Sequence, residues 1–281
     1  MPAFAGKAVI ITGSSNGIGR ATALLFAKKG ASVTITGRNA DRLEETRQQL
    51  LKATISPDNI NVVQGDLTTS QGQDKLIQST IERFGKIDIL INCAGANIPD
   101  PTGKTGTDQS MDSFHKNIQL NLQGVVEMVQ KVKPHLMKTR GEIINVSTVG
   151  AEPHAQPDFI YYSIAKAALN QYTRSIAIDL IKHGIRVNSV SPGITDTGFG
   201  TAMGMSQELS KKVGEYMASH RDCIPCGYVA QPKDIAVIIC FLADRKQSHY
   251  IIGQSIIADG GGSLMMGVHS HDLGKMMKSF T

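Results

Sequence analysis

The chain contains no tryptophan, and aromatic residues make up only 5% of its 281 positions. It therefore lacks the stacking platforms on which single-stranded nucleic acid is bound. Lysine and arginine are scattered without a basic run, so the net charge of +5 forms no stripe suited to a phosphate backbone. No nucleic-acid partner is expected. No apolar run approaches the length of a membrane span, and no membrane partner is expected either. The four cysteines, Cys93, Cys223, Cys226 and Cys240, are too few for a disulfide framework at this size. Met1-Pro2-Ala3-Phe4-Ala5-Gly6 leads almost directly into an apolar run, without a secretory signal. The ending Lys278-Ser279-Phe280-Thr281 is not a Ser-Lys-Leu-type address. A cytoplasmic, reducing setting is the expectation. Cys223-Ile224-Pro225-Cys226 has metal-like spacing, but no second pair or histidine cluster matches it, so packing is expected and no metal site.

What remains is ordinary for a folded domain: 41% hydrophobic and 19% charged residues, in a chain long enough to bury a sizeable core. Apolar runs alternate with helical patterns along its whole length. Strands are expected at Lys7–Ile11, Ser32–Thr36, Ile60–Gln64, Ile87–Asn92, Glu142–Val146, Arg186–Val190 and Ser255–Ala258. Helices are expected at Arg20–Lys29, Asp41–Lys52, Gln73–Phe84, Met111–Met137, Phe159–Lys182 and Lys233–Leu242. This alternation predicts a single α/β domain with a doubly wound, mostly seven-stranded parallel sheet covered by helices on both faces. The domain is expected over 1–262, with a substrate loop at 195–222 and a C-terminal extension at 263–281.

Two motifs carry chemistry. After the first strand comes Thr12-Gly13-Ser14-Ser15-Asn16-Gly17-Ile18-Gly19, followed by a strongly helical stretch. Strand, glycine turn and helix together suit a dinucleotide pyrophosphate, because free N–H groups and the helix dipole attract the anion. Gly13 permits the turn, Gly17 lets the backbone approach and Gly19 allows close packing. Far downstream lies Tyr162-Ser163-Ile164-Ala165-Lys166, with phenol and ammonium one helical turn apart on one face. A free phenol has a pKa of about 10. A neighbouring cation is expected to lower it toward a range useful for general acid–base work. Tyr161 points about 100° away round the helix and is expected to pack.

The glycine spacing and Tyr162-x-x-x-Lys166 resemble the short-chain dehydrogenase/reductase family, from about Gly6 to Gly262. Other landmarks fall in the family's order: Asp66, Asn92-Cys93-Ala94-Gly95, Asn121, Thr148, Pro192-Gly193 and Asp259-Gly260-Gly261. The resemblance implies an NAD(P)-dependent oxidoreductase acting between a carbonyl and an alcohol. It also implies a small-molecule substrate and, by analogy, a homodimer or homotetramer. Gly13, Ser15, Asn16, Gly17, Ile18 and Gly19 would hold the dinucleotide, with Asp66 and Leu67 at the adenine. Asn92, Ala94 and Gly95 would wall the ribose. Lys166 would bridge the nicotinamide ribose hydroxyls, and Pro192, Gly193, Ile194 and Thr197 would fix the carboxamide. After the second strand stands Gly37-Arg38-Asn39, with no acid until Asp41. A guanidinium there binds a 2′-phosphate, which a carboxylate would repel. NADP(H) is thus expected over NAD(H), with Arg38, Asn39 and Ser15 as its contacts.

For catalysis the family pattern implies that Tyr162 donates the proton, Lys166 tunes it and the Asn121 backbone supports a relay water. The family usually ends the fifth strand in Ser-Ser, whereas this chain has Ser147-Thr148. Successive side chains of an extended segment face opposite ways. Thr148 is assigned by position, and Ser147 stays an alternative. An NAD-linked alcohol dehydrogenase acting on a sugar or steroid, or a non-catalytic scaffold, are the competing readings. Ile98, Pro99, His154, Phe159, Met203, Met205, Met265 and Met266 are candidate pocket residues. A Met-rich lining suits an apolar or adaptable ligand.

Overall fold

Short Val/Ile-rich runs with every residue buried can be stable only when helices cover both faces of their sheet. The computed structural model, which describes residues 2–53, 55–153 and 155–265, builds seven strands, of which those at Ala8–Ile11, Ile89–Asn92, Glu142–Val146 and Arg186–Pro192 are buried at every residue. In chain order the first elements are β1 (Ala8–Ile11), α1 (Gly17–Lys28), β2 (Ser32–Gly37), α2 (Ala40–Lys52), β3 (Ile60–Gln64), α3 (Ser70–Phe84) and β4 (Ile89–Asn92). There follow α4 (Met111–Ile118), α5 (Gly124–Thr139), β5 (Glu142–Val146), α6 (Ile160–Ile181), β6 (Arg186–Pro192), α7 (Phe199–Ala202), α8 (Gln207–Ser219), α9 (Pro232–Ala243), α10 (Arg245–Ser248) and β7 (Ser255–Ala258). The strand order is β3-β2-β1-β4-β5-β6-β7 and every pairing is parallel. Val9 lies opposite both Val33 and Ile89. The order reverses between β1 and β4, which opens a crevice at their carboxyl ends.

Each face has its own core. Phe26 of α1, Leu43 and Leu50 of α2, and Ile235 and Ile239 of α9 pack with Val9, Ile11 and Val33 on one side. Leu76 of α3, Met128 and Val132 of α5, and Leu169 and Ala177 of α6 pack with Ile10, Leu90 and Ile143 on the other. Below the strands' amino ends, the buried Glu142 carboxylate meets Arg186 at 2.9 Å and Arg245 at 2.7 Å, an ion cluster remote from the crevice. No described helix is long and apolar enough to cross a membrane.

Three elements depart from the sequence pattern. α1 starts at Gly17 rather than Arg20, because the Asn16 side chain caps it by accepting the Gly17 N–H at 2.7 Å. The stretch expected as one helix over Met111–Met137 is split by a π-helical turn at Gln119–Gln123, and Asn121 is buried within that turn. Such wide turns recur at functional sites. Within the expected substrate loop, α8 forms a regular helix. The Ser206 hydroxyl caps it by accepting the Leu209 N–H at 3.1 Å, and Glu208 pairs with Lys212 at 2.7 Å. α8 buries none of its residues, although Leu209, Val213, Tyr216 and Met217 recur at helical spacing; that stripe, the Ser cap and the i,i+4 charges were the signals for it.

Candidate active site

The crevice is floored by the turn between β1 and α1. Thr12 at its start donates to Ile91 O, and its hydroxyl oxygen accepts the Cys93 and Ala94 N–H groups at 2.9 and 3.0 Å, tying this turn to the end of β4. Gly13 has φ +64°, and a Cβ there would lie 2.8 Å from the Ala94 Cα, so no side chain fits. A Cβ on Gly19 would run into the Gly13 carbonyl, so α1 lies directly against the turn. The buried Ser14 hydroxyl donates to Ile11 O at 2.8 Å and accepts the Thr36 N–H at 2.8 Å. Arg20 donates to the Ser15 carbonyl at 2.6 Å. What results is a side-chain-free cradle at a helix N-terminus, at the reversal of strand order. Those features fit a dinucleotide pyrophosphate.

The expected contacts fall around this cradle, though not all in the expected manner. Asn16 spends its carbonyl oxygen on capping α1, and its amide nitrogen lies against Gly198. Ile18 is partly buried and packs against the core. Ser15 lies over Gly37. The exposed Arg38 makes no ion pair at contact distance among the described residues, and Asn39 caps α2 by accepting the Arg42 N–H at 2.8 Å. Burial favours the protonated Asp66 carboxyl, yet hydrogen bonds from Thr68 and the Arg38 charge hold it below its ordinary value. Leu67 is packed against the core on the α3–α5 side. Asn92 turns inward and donates to Asn145 at 2.9 Å, so only its backbone lines the crevice. Pro192 ends β6, the Gly193 N–H donates to Ala258 O at 2.9 Å, Ile194 is exposed, and Thr197 covers Gly17.

At the other side of the crevice stand Tyr162 and Lys166, 8% and 3% exposed, both on the sheet-facing side of α6. Lys166 Nζ donates to Val146 O at 2.8 Å and lies 5.9 Å from the Tyr162 ring centroid. A Cβ on Gly95 would come within 2.9 Å of Asn121 Oδ1 and 3.0 Å of Lys166 Nζ, which places those two groups side by side. The Asn121 side chain is occupied with Ala96, whose N–H it accepts at 3.2 Å and to whose carbonyl it donates at 2.9 Å. Tyr161 packs edge-on against Phe114 and donates to Gln109 O at 3.1 Å, away from the crevice.

The structure also separates Ser147 from Thr148. Ser147 is buried and donates toward the Lys166 carbonyl at 3.4 Å, under the helix. The Thr148 hydroxyl lies beside the Tyr162 phenol and interacts with it. One expectation is corrected here. Burial holds the Tyr162 phenol above its ordinary pKa, against the pull of Thr148, where the sequence suggested a phenol brought down by Lys166. The neighbouring ammonium is buried as well: desolvation draws Lys166 down to about 8, opposed by Cys93. Burial likewise pushes the Cys93 thiol up to about 12, so it is no nucleophile.

Over this pair lies α7. The Phe199 ring sits 5.6 Å from that of Tyr162, and Asn97 Nδ2 reaches Met203 Sδ at 3.7 Å. Sequence reading missed Phe199 and Asn97, which carry no motif. Met205 folds back toward Gly200. His154 and Met266 lie outside the described residues, as does the tail from 266 onward. In the Cys223–Cys226 turn, the Cys226 N–H donates to Gly260 O at 3.1 Å and all cysteines are free. No group of three metal-ligating side chains occurs among the described residues.

This architecture is matched by known proteins. The family model described as enoyl-(acyl carrier protein) reductase aligns with residues 13–263. A Caenorhabditis elegans short-chain dehydrogenase/reductase of unknown function, solved with cofactor, shares 62% identity at a TM-score of 0.95, covering 96% of this chain and all of that one. The chain belongs to the short-chain dehydrogenase/reductase family. A second structure, apo glucose dehydrogenase of the same nematode, is 52% identical at a TM-score of 0.80, covering 93% of this chain and 99% of that one. Among curated relatives, glucose 1-dehydrogenase of Gluconobacter oxydans is 34% identical over 93% of each chain. Mouse L-fucose dehydrogenase is 30% identical over 94% of this chain and 91% of its own. As a member of the short-chain dehydrogenase/reductase family, the protein is a nicotinamide-dependent oxidoreductase.

Proposed function

We propose that the protein is an NADPH-dependent carbonyl reductase, working reversibly as a secondary-alcohol dehydrogenase. The observation that carries this reading is the convergence of Thr148, Tyr162 and Lys166 beside a dinucleotide cradle whose β2 end presents Arg38 and no carboxylate. When bound, the reduced nicotinamide supplies the hydride. Thr148 would donate a hydrogen bond to the substrate oxygen and orient it toward the phenol. Tyr162, a phenol that is protonated at neutral pH, would give its proton to that oxygen as negative charge develops there. Lys166 would hold the ribose hydroxyls and stabilise the phenolate left behind. Ser15, Arg38 and Asn39 would take the 2′-phosphate, Asp66 and Leu67 the adenine, and Pro192, Gly193, Ile194 and Thr197 the carboxamide. Phe199 and the Met203 thioether favour an apolar face on the substrate. Relatives named for glucose and fucose support a second reading, oxidation of a sugar hydroxyl. A homo-oligomer in a cytoplasmic setting fits the same reading.

The test is optical: NADPH and NADH consumption followed over a panel of ketones, quinones, sugars and steroids. Reduction of an apolar ketone with NADPH is the expected result; dinucleotide oxidation by none of the panel would overturn it. The pH profile adds a second check. Lys166 carries its charge below about 8 and loses it as pH rises through that value, so kcat/KM for reduction is expected to fall above about pH 8. Lys166→Arg keeps a charge well beyond that range and should remove this descending limb while lowering the overall rate. A limb that persists in the Arg variant would assign it to another group.

The two hydroxyls of the β5 terminus separate cleanly. Thr148→Val keeps the shape and removes the donor, and kcat/KM is expected to fall about 100-fold, as when one aimed donor is lost from an oxyanion site. Ser147→Ala, turned away under α6, is expected to change kcat/KM by less than about fivefold, since it loses one weak neutral hydrogen bond. The reverse pattern in steady-state kinetics would exchange their roles.

A further inference from the structure

From Thr148 the chain makes one tight turn and arrives at Glu152. The turn is closed by its own bonds: the Thr148 hydroxyl accepts the Gly150 N–H at 3.3 Å, Ala151 N–H donates to Thr148 O at 3.0 Å, and Glu152 N–H donates to Val149 O at 3.0 Å. A unit this short moves as one body, so whatever holds Glu152 also holds Thr148. Glu152 is held twice. Its Oε1 accepts from Asn170 Nδ2 at 3.3 Å and from the Ser191 hydroxyl at 3.1 Å. Asn170 lies one turn beyond Lys166 on the same buried face of α6. Ser191 is buried, directly precedes Pro192 and bonds the Ser255 hydroxyl of β7 at 2.8 Å.

One carboxylate therefore ties together the turn carrying Thr148, the helix carrying Tyr162 and Lys166, and the strand end leading to Pro192 and Gly193. A carboxylate is a strong acceptor, and bonds to an ionised group are shorter and stiffer than neutral ones. The buried Asn170 Oδ1 and Ser189 Oγ have no hydrogen-bond partner among the described residues. No sequence motif pointed to Glu152, because its two partners lie 18 and 39 positions away.

We infer that Glu152 is a positioning residue for hydride transfer, setting the Thr148 hydroxyl against the Tyr162 phenol by clamping its turn to α6 and β6. This rests on the oxidoreductase reading for its kinetic consequence and on the geometry alone for its structural one. Misplacement of a reacting group by about 1 Å can cost about 100-fold, so a loosened turn is expected to lower kcat substantially.

The experiment compares Glu152→Ala, Glu152→Gln and wild type in three readouts. Amide hydrogen exchange of residues 147–153 in the dinucleotide-free protein is expected to speed up in the Ala variant and not in Gln, whose amide oxygen accepts the same two bonds. With dinucleotide deuterated at the transferred position, kcat is expected to fall about tenfold or more in Ala, with an enlarged isotope effect because hydride transfer becomes more rate-limiting. Gln is expected to restore both to within about threefold of wild type, and dinucleotide Kd to stay within about threefold throughout. Unchanged exchange in the Ala variant would overturn the clamp whatever the enzyme does. Faster exchange with wild-type kcat, or a lower kcat with an unchanged isotope effect, would overturn the positioning role. A wild type that binds dinucleotide and reduces no carbonyl compound would refute the functional reading, while the exchange result would still decide the clamp.

Discussion

Tyr162→Phe is expected to lower kcat for carbonyl reduction by about 1000-fold or more, the range for losing a positioned general acid, while dinucleotide binding stays within about twofold. The substitution removes one oxygen and leaves the ring. Packing against Phe199, with centroids 5.6 Å apart, is preserved, so the fold and the cover over the crevice should be undisturbed. Without the phenolic proton, the developing alkoxide has only the Thr148 hydroxyl to receive it, and a hydrogen bond does not complete proton transfer. Steady-state kinetics with fluorescence titration of NADPH provides the measurement. Retained turnover in a folded, dinucleotide-binding Phe variant would remove Tyr162 from its assigned role and move the search for the acid to water or another side chain.

Arg38→Asp is expected to lower the ratio of kcat/KM with NADPH to that with NADH by about 100-fold or more. Each charge-assisted hydrogen bond to a phosphate contributes about 1.5–3 kcal/mol, and the new carboxylate both removes the donor and repels the dianion. The side chain is exposed and makes no contact-distance ion pair with a described residue, so stability should not change with it. The same carboxylate can accept from a ribose 2′-hydroxyl, so NADH use is expected to improve in absolute terms. A ratio unchanged by the substitution, or a wild type already favouring NADH, would refute NADPH preference without touching the assignment of Tyr162. The two substitutions are far apart in the crevice and their effects should be separable.

Much of this protein is written locally. The strands announce themselves as short runs rich in Val and Ile because a parallel sheet covered on both faces buries both sides of its central strands, and the glycine turn because only a residue without a side chain fits beneath Ala94. Tyr162 and Lys166 share a face because four residues make about one turn of helix. These features depend on neighbours within a few positions, so one-dimensional pattern suffices. Helix α8, within the expected substrate loop, is readable from Leu209, Val213, Tyr216 and Met217 at helical spacing, whereas the π turn around Asn121 escaped because its widened bonding is invisible to a 3.6-residue period.

Distances across the sheet belong to the folded molecule alone. Burial, a property of the surrounding layers, turned the expected lowering of the Tyr162 pKa into a rise. The choice of Thr148 over Ser147 as neighbour of the phenol depended on how the end of β5 meets α6. The clamp at Glu152 joins residues from a turn, a helix and a strand that no spacing rule connects. The sequence by itself determined the fold and nominated the candidate reacting groups, because both arise from short-range geometry. Only the tertiary structure decided protonation, orientation and support, since solvent exclusion and long-range contacts exist once the chain has closed on itself.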